Sequence, residues 1–409
     1  MAYKDVSEEA INSIAKFINQ KSNKNYSIPV LGDETNPEIP HIFEIIPFTE
    51  IDKSSRKFYA IDGSYNSQEF YNGMCVAVYA AGYICYQEGK QICLNDLDDP
   101  VILGKSYFPE RVLIINEEDK EAIYDELFSL EPVKNLMTFF GDSSKEVFAY
   151  DKKAVCTTAS TLLSFCQGVL ELALIYEIAN LKTTATGDFI LRDGTLRPID
   201  VKQKFSVALG EYIKNKGIVI VAITKNSGIK MELSYTFKQI DAYLQDKLKP
   251  VYSFKNSDPK SQKLCCWFEV PTPVLSSAYG QMYIKKELTG GRGFGLFFAA
   301  RLDYVEKLQN YDWLVVDVNI FDAIPGIRAS DPKRDMPFLT DLFKELTRLT
   351  QEHYILGYPY PLVEVHNFIT LKKAFKDEII KRVKFALYGN QQMDNVDIEN
   401  IFLDIHDRF

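Results

Sequence analysis

The chain has 409 residues, 46% of them hydrophobic, 13% aromatic and 25% charged; these are globular proportions with material for a sizeable core, and they exclude disorder, collagen and coiled coil as the main state. The net charge is −9. A protein that coats nucleic acid non-specifically is normally basic, so any nucleic-acid contact must come from a local basic groove, whereas an acidic balance suits carboxylates gathered around a cation.

The first 20 residues predict an amphipathic helix, with Ile11, Ile14, Ala15 and Ile18 at helical spacing and Ser7 as a cap before Glu8 and Glu9. Acidic residues interrupt this start before any apolar core forms, so it does not read as a signal peptide. Residues 21–56 are rich in loop formers. Lys57-Phe58-Tyr59-Ala60-Ile61 then reads as a short apolar strand closed by Asp62-Gly63-Ser64 as a turn. Residues 73–87 and 91–94 read as further strands of a β-meander, joined by Glu88-Gly89-Lys90 as a hairpin turn. The run 73–87 is the longest candidate membrane segment; it is shorter than the roughly 20 residues a spanning helix needs and is studded with Tyr79, Tyr83 and Tyr86. Seven cysteines with no C-x-x-C pair favour buried reduced thiols over a disulfide framework or a tetrathiolate zinc site. The expectation is a soluble, cytoplasmic protein without membrane contact.

Helices are predicted over 119–130, 155–181 and 198–215, with strands at 188–193 and 217–223 between and after them. This alternation argues for an α/β sheet. Strand-like pieces follow at 264–270, 281–285, 294–300 and 313–319, and helices at 336–350 and 366–385, separated by Gly357-Tyr358-Pro359-Tyr360-Pro361. The organisation expected is an N-terminal helical and loop extension (1–56), the first part of an α/β core (57–250), a β-rich insertion or sheet extension (251–330) and a helical part completing the core (331–409). No internal repeat or low-complexity tract is present.

Two apolar strands run into Asp-Gly-hydroxyl: Asp62-Gly63-Ser64 and Asp193-Gly194-Thr195. A strand buried on both faces cannot hold a charged carboxylate inside, but it can hold one at its tip, where the sheet opens to a cleft. If the strands are neighbours, the two carboxylates face one cleft and repel, and Mg²⁺ or Mn²⁺ resolves the repulsion. Asp-Gly is also a common turn dipeptide. The residues alone leave two functional readings open: a metal-dependent phosphoryl-transfer enzyme, and an actin-like ATP-binding phosphotransferase in which an Asp-Gly loop meets phosphate.

The ordered set of strand–Asp62-Gly63-Ser64–hairpin, helix with Glu, strand–Asp193-Gly194-Thr195-Leu196 and Gly357-Tyr358-Pro359 followed by His366 resembles the NurA family, over roughly residues 57 to 385. The resemblance implies a DNA-end-processing nuclease with an RNase H-like mixed sheet flanked by helices. It implies Mn²⁺ or Mg²⁺ as cofactor, two ions per active site, and a homodimer working with a HerA-type hexameric ATPase in DNA-end resection or phage defence. Asp62 and Asp193 match the family's strand-end metal ligands. Its helical Glu falls on Glu171 or Glu177; Glu171, followed by Leu-Ala-Leu, is preferred, which leaves Glu177 as a solvated helix residue. Tyr358 and His366 match the family's C-terminal Tyr and His, His366 at a helix start and serving as a further metal ligand. Lys225, after the strand ending at Ile223, matches a position suited to phosphate.

Positive charge for DNA is available at Lys372, Lys373 and their neighbours on the C-terminal helix, and at Arg292 in a Gly-rich turn followed by Phe294, Phe297 and Phe298, of which at least two are expected to pack the core and not to stack on DNA. That turn lacks the Lys-Ser/Thr ending of a P-loop. A third reading is a non-catalytic RNase H-like scaffold that only binds a motor protein.

Overall fold

A computed structural model of the chain describes residues 8–24, 43–47, 54–70, 72–94, 102–141, 147, 158–196, 201–225, 227–240, 264–270, 274, 296–302, 313–318, 336–351, 357–371, 373–389 and 394–403. In chain order the elements are α1 (Glu8–Ser22), β1 (Phe43–Pro47), β2 (Lys57–Glu69), β3 (Cys75–Gln87), β4 (Lys90–Ile92), β5 (Gly104–Tyr107), β6 (Leu113–Ile114), α2 (Glu117–Leu127), α3 (Glu131–Phe139), α4 (Ala159–Ala179), β7 (Phe189–Asp193), α5 (Gln203–Asn215), β8 (Val219–Thr224), α6 (Gly228–Glu232), β9 (Leu264–Glu269), β10 (Leu296–Arg301), β11 (Trp313–Val318), α7 (Met336–Gln351), α8 (Tyr360–Ile369), α9 (Lys373–Gly389) and α10 (Asn395–Ile401). The architecture is mixed α/β, mostly antiparallel. It divides into two compact units: one of Met1–Ser54, Gly194–Arg197 and Val221–Tyr360, the other of Ser55–Asp193, Pro198–Ile220 and Pro361–Phe409.

In the first unit, β1, β9, β10, β11 and β8 lie in that order as antiparallel neighbours. Its core gathers Ile229, Leu233 and Phe237 against Phe268, Trp313 and Val315. Phe297 and Phe298 are buried in strand β10, so they pack the core as expected. Helix α1 is tied down at its end, where Lys21 and Lys24 meet the buried Glu232 carboxylate at 2.7 and 2.9 Å. Its apolar stripe, Ile11, Ile14 and Ile18, is exposed.

In the second unit, β2 is flanked by β3, antiparallel, and β7, parallel; β4, β5 and β6 add to β3. The start of β8 joins β7, the Val219 N–H donating to Asp188 O at 3.0 Å. The β3–β4 hairpin turns as expected on Glu88 (φ 52°) and Gly89 (φ 76°), the left-handed pair that matches strand twist. β3 is buried along all but its last residue, because helices cover both faces. Val78 and Ala80 meet Ile369 and Leu371 beyond α8, and Val76 meets Ile398 and Phe402. The other face of the β2–β3 pair carries α4, which begins on a Thr158–Thr161 capping box. α4 is long and apolar enough to cross a membrane, but 72% of its most apolar window is buried within the protein; sheet packing accounts for its composition.

Three local expectations change. The helix expected over 119–130 is α2, Glu117–Leu127, and a further helix that was not expected, α3, follows it at Glu131–Phe139 with Pro132 in its first turn. The helix expected over 366–385 is α8 and α9, and His366 stands in the last turn of α8. Strand β2 does not stop at Asp62: it runs on to Glu69, paired with β3 throughout. The strand piece expected at 281–285 lies outside the described residues.

Candidate active site

The parallel pair β2–β7 sets the site. Its register runs from Phe58↔Phe189 to Ile61↔Arg192, anchored by the stacked Phe58 and Phe189 rings at 5.1 Å. The next position on each strand is a carboxylate, Asp62 and Asp193. β7 ends there while β2 continues, so Asp62 lies inside a strand at the point where its parallel neighbour leaves off. That is how a 6% exposed carboxylate sits in an apolar strand.

Successive residues of a strand face opposite ways. Asp62 faces α8: its Oδ2 is 2.7 Å from His366 Nδ1, while its Oδ1 accepts from the Gly63 N–H at 2.8 Å. Gly63 faces α4. A Cβ there would lie 2.4 Å from both Gln167 Cγ and Glu171 Oε1. Gly63 is therefore a gap in the strand, filled by Glu171, and not a turn residue. The carboxylate at 171 reaches the sheet only because position 63 has no side chain. Gly194, by contrast, has φ 115° and open space around it, and is the turn the sequence predicts.

Glu171 is 2% exposed. Its Oε1 accepts from Gln167 Nε2 at 2.7 Å, and its Oε2 accepts from Arg192 Nε at 2.7 Å with Nη2 at 2.6 Å. Arg192 and Gln167 are residues that sequence reasoning missed. The signal was there: Arg192 immediately precedes Asp193 on β7, and Gln167 is one helical turn before Glu171.

The electrostatics follow from this crowding. Burial pushes the Asp62 carboxyl up to about 6, and the neighbouring Glu171 and Asp193 carboxylates push the same way; the bonds from His366 and the Gly63 N–H pull against them. In the second unit His366 is thus bonded to Asp62, and Glu171 and Asp193 lie within electrostatic reach of Asp62. Glu177, the alternative helical glutamate, is elsewhere and is not a solvated residue. Its Oε1 accepts from Tyr83 OH at 2.9 Å and Lys105 Nζ at 2.8 Å, and its Oε2 from Tyr107 OH at 2.8 Å. Burial, and then Glu177, push both tyrosines up.

Lys225 and Tyr358 belong to the first unit, where the Lys225 ammonium stands 4.0 Å from the centre of the buried Tyr358 ring. Arg292 and Lys372 lie outside the described residues, as does the side chain of Lys373.

Whether this donor set suits a divalent cation is a matter of chemistry. Three carboxylates and one imidazole offer hard oxygen ligands with one nitrogen, the preference of Mg²⁺ and Mn²⁺. The residues fit. Among the described residues, no three His, Cys, Asp or Glu groups already stand as a coordination shell. Glu171 is turned to Arg192 and Gln167.

These features define a mixed α/β protein with acidic residues at the end of a parallel strand pair. A family model described as the NurA domain matches residues 56–370, and the chain belongs to the NurA family. Among solved structures, the NurA nuclease from Sulfolobus solfataricus is 14% identical, covering 95% of this chain and 96% of that chain at a TM-score of 0.43. A NurA structure with manganese is 10% identical, covering 95% and 99% at a TM-score of 0.34. A NurA structure bound to dAMP and manganese is 12% identical, covering 87% and 92% at 0.31. No curated protein matches the sequence significantly.

Proposed function

We propose that this chain is a divalent-metal-dependent DNA nuclease that cleaves phosphodiester bonds at DNA ends. The observation that carries the reading is the buried Asp62, bonded to His366, with Asp193 at the next position of the adjoining strand and Glu171 reaching the sheet at the neighbouring Gly63. Membership of the NurA family supports it, a family in which one protein has been solved bound to dAMP and manganese. The second unit supports an RNase H-like core: antiparallel β2, β3 and β4, a parallel β7 on the far side of β2, and carboxylates on β2, β7 and the helix between them.

Asp62, Asp193, Glu171 and His366 are the residues that would hold two Mn²⁺ or Mg²⁺ ions. When bound, such ions balance the charge of the pentavalent phosphate and make water a nucleophile at neutral pH. Asp62 orients His366. An ionised carboxylate only accepts, so the proton of their bond resides on Nδ1 and leaves Nε2 as the basic nitrogen. Tyr358, buried beneath Lys225, serves as the platform that holds this ammonium ready for a phosphate oxygen. The same reading carries a homodimer and a HerA-type ATPase partner.

The test is cleavage of labelled linear DNA in Mn²⁺, Mg²⁺ or EDTA, with and without a HerA-type ATPase. Cleavage that depends on the cation and is lost in Asp62→Ala is the expected result. ATP binding by calorimetry without any cleavage would instead favour the actin-like reading.

A further inference from the structure

The acidic cluster already contains a cation. Arg192 leaves β7 one residue before Asp193, and its guanidinium grips one oxygen of Glu171 through both Nε and Nη2, at 2.7 and 2.6 Å. The pair is enclosed: the side chains are 12% and 3% exposed. Gln167 holds the other oxygen, and the carboxylate is lodged over Gly63, next to Asp62. Both oxygens of Glu171 are thus engaged by neighbouring side chains. A divalent ion placed on Glu171 Oε2 would stand within a few ångströms of the guanidinium, and like charges at that range in an enclosed site repel strongly.

We propose that Arg192 is a positioning residue that neutralises Glu171 in the metal-free protein and yields it to the incoming cation, which makes metal and phosphate binding mutually dependent. The inference rests on the proposed nuclease function. A buried guanidinium deprived of its carboxylate requires another anion. The anion that accompanies the metal is the phosphate of the substrate, whose oxygens match the planar fork. Arg192 therefore opposes metal alone and favours metal with phosphate. By linkage, phosphate tightens metal to the same degree that metal tightens phosphate.

The experiment is calorimetric titration of the full-length protein with Mn²⁺, with and without dAMP, which carries a phosphate but no phosphodiester to cut. In the wild type, dAMP should tighten Mn²⁺ by about tenfold or more. Arg192→Gln should bind Mn²⁺ about tenfold more tightly without nucleotide and lose most of the dAMP effect. Its melting temperature should fall in EDTA and recover in Mn²⁺ by more than that of the wild type, whereas loss of a merely structural ion pair would lower both alike. If Arg192→Gln cannot be purified folded, Arg192→Met, which removes the charge but keeps most of the bulk, should shift Mn²⁺ affinity in the same direction. A wild type that binds no Mn²⁺ defeats the functional reading itself. A wild type that binds Mn²⁺ while the Arg192 variants bind it no more tightly overturns this inference alone.

Discussion

The two Asp-Gly dipeptides look alike in sequence and do opposite things with their glycines. At 193–194 the strand ends, the glycine adopts φ 115° in open space, and its N–H closes onto Ile223 O at 3.1 Å. At 62–63 the strand continues, and the glycine is flat against α4, where a methyl group would strike Gln167 and Glu171. One glycine is needed for its backbone freedom, the other for its missing side chain. The aspartates share a cluster all the same, because the strands are parallel neighbours in register up to Ile61↔Arg192. What assembles the site is sheet register plus one gap, and the turn propensity of Asp-Gly contributes only at the second strand.

The largest effect is expected at the aspartates. On the proposed function, Asp62→Ala and Asp193→Ala should each slow Mn²⁺-dependent DNA cleavage on the order of a hundredfold or more, since each removes a proposed metal ligand. A folded Asp62→Ala protein with wild-type cleavage would separate the two motifs. Gly63→Ala comes next. Displacing Gln167 and Glu171 should cost roughly ten- to a hundredfold in rate, together with about 1–3 kcal/mol of stability from overpacking. Gly194→Ala has room for the methyl group and suffers only backbone strain, on the order of 1–3 kcal/mol by denaturant melt, and cleavage should fall far less than for Gly63→Ala. Equal activity losses in the two glycine variants would contradict the distinction drawn between them.

The two glutamates of α4 sharpen the same point. Glu177→Gln breaks a bond network between α4 and strands β3 and β5 and should lower stability by about 1–3 kcal/mol. Glu171→Gln should lower the cleavage rate in Mn²⁺ far more than Glu177→Gln does.

The smallest effect is a pH slope. The Asp62 carboxyl holds its proton more firmly in the fold, at about 6, than at its ordinary value of 3.8. Between those values the folded chain carries more protons than the unfolded one. The contribution is therefore present in full below about 3.8 and is lost as pH rises towards about 6. Denaturant melts in EDTA should show stability falling across this window, a flatter slope in Asp62→Asn, and a slope opposed by Mn²⁺.

Part of this was legible in the chain. The apolar runs before Asp62 and Asp193 announce strands, and their shared ending announces a cleft. The hairpin at Glu88-Gly89 follows from its turn residues alone. The continuation of β2 was not legible, because its second half, Ser64 to Glu69, is polar and is held by pairing with the buried β3. Nor was the break between α8 and α9. The Leu371 N–H donates to Ser64 Oγ at 3.0 Å, and Leu371 O accepts from Asn66 at 3.2 Å, so a distant strand captures backbone that local periodicity assigns to one helix. That capture, with Pro361 starting α8 early, is what sets His366 in a last turn facing Asp62 instead of at a helix start. Glu177 misled for the same reason: Tyr83, Lys105 and Tyr107 come from strands far along the chain.

The most direct test is anomalous diffraction from crystals soaked in Mn²⁺. A manganese peak is expected within coordination distance, roughly 2–2.3 Å, of carboxylate oxygens from both Asp62 and Asp193. Manganese bound away from these two residues, or touching only one of them, would contradict it.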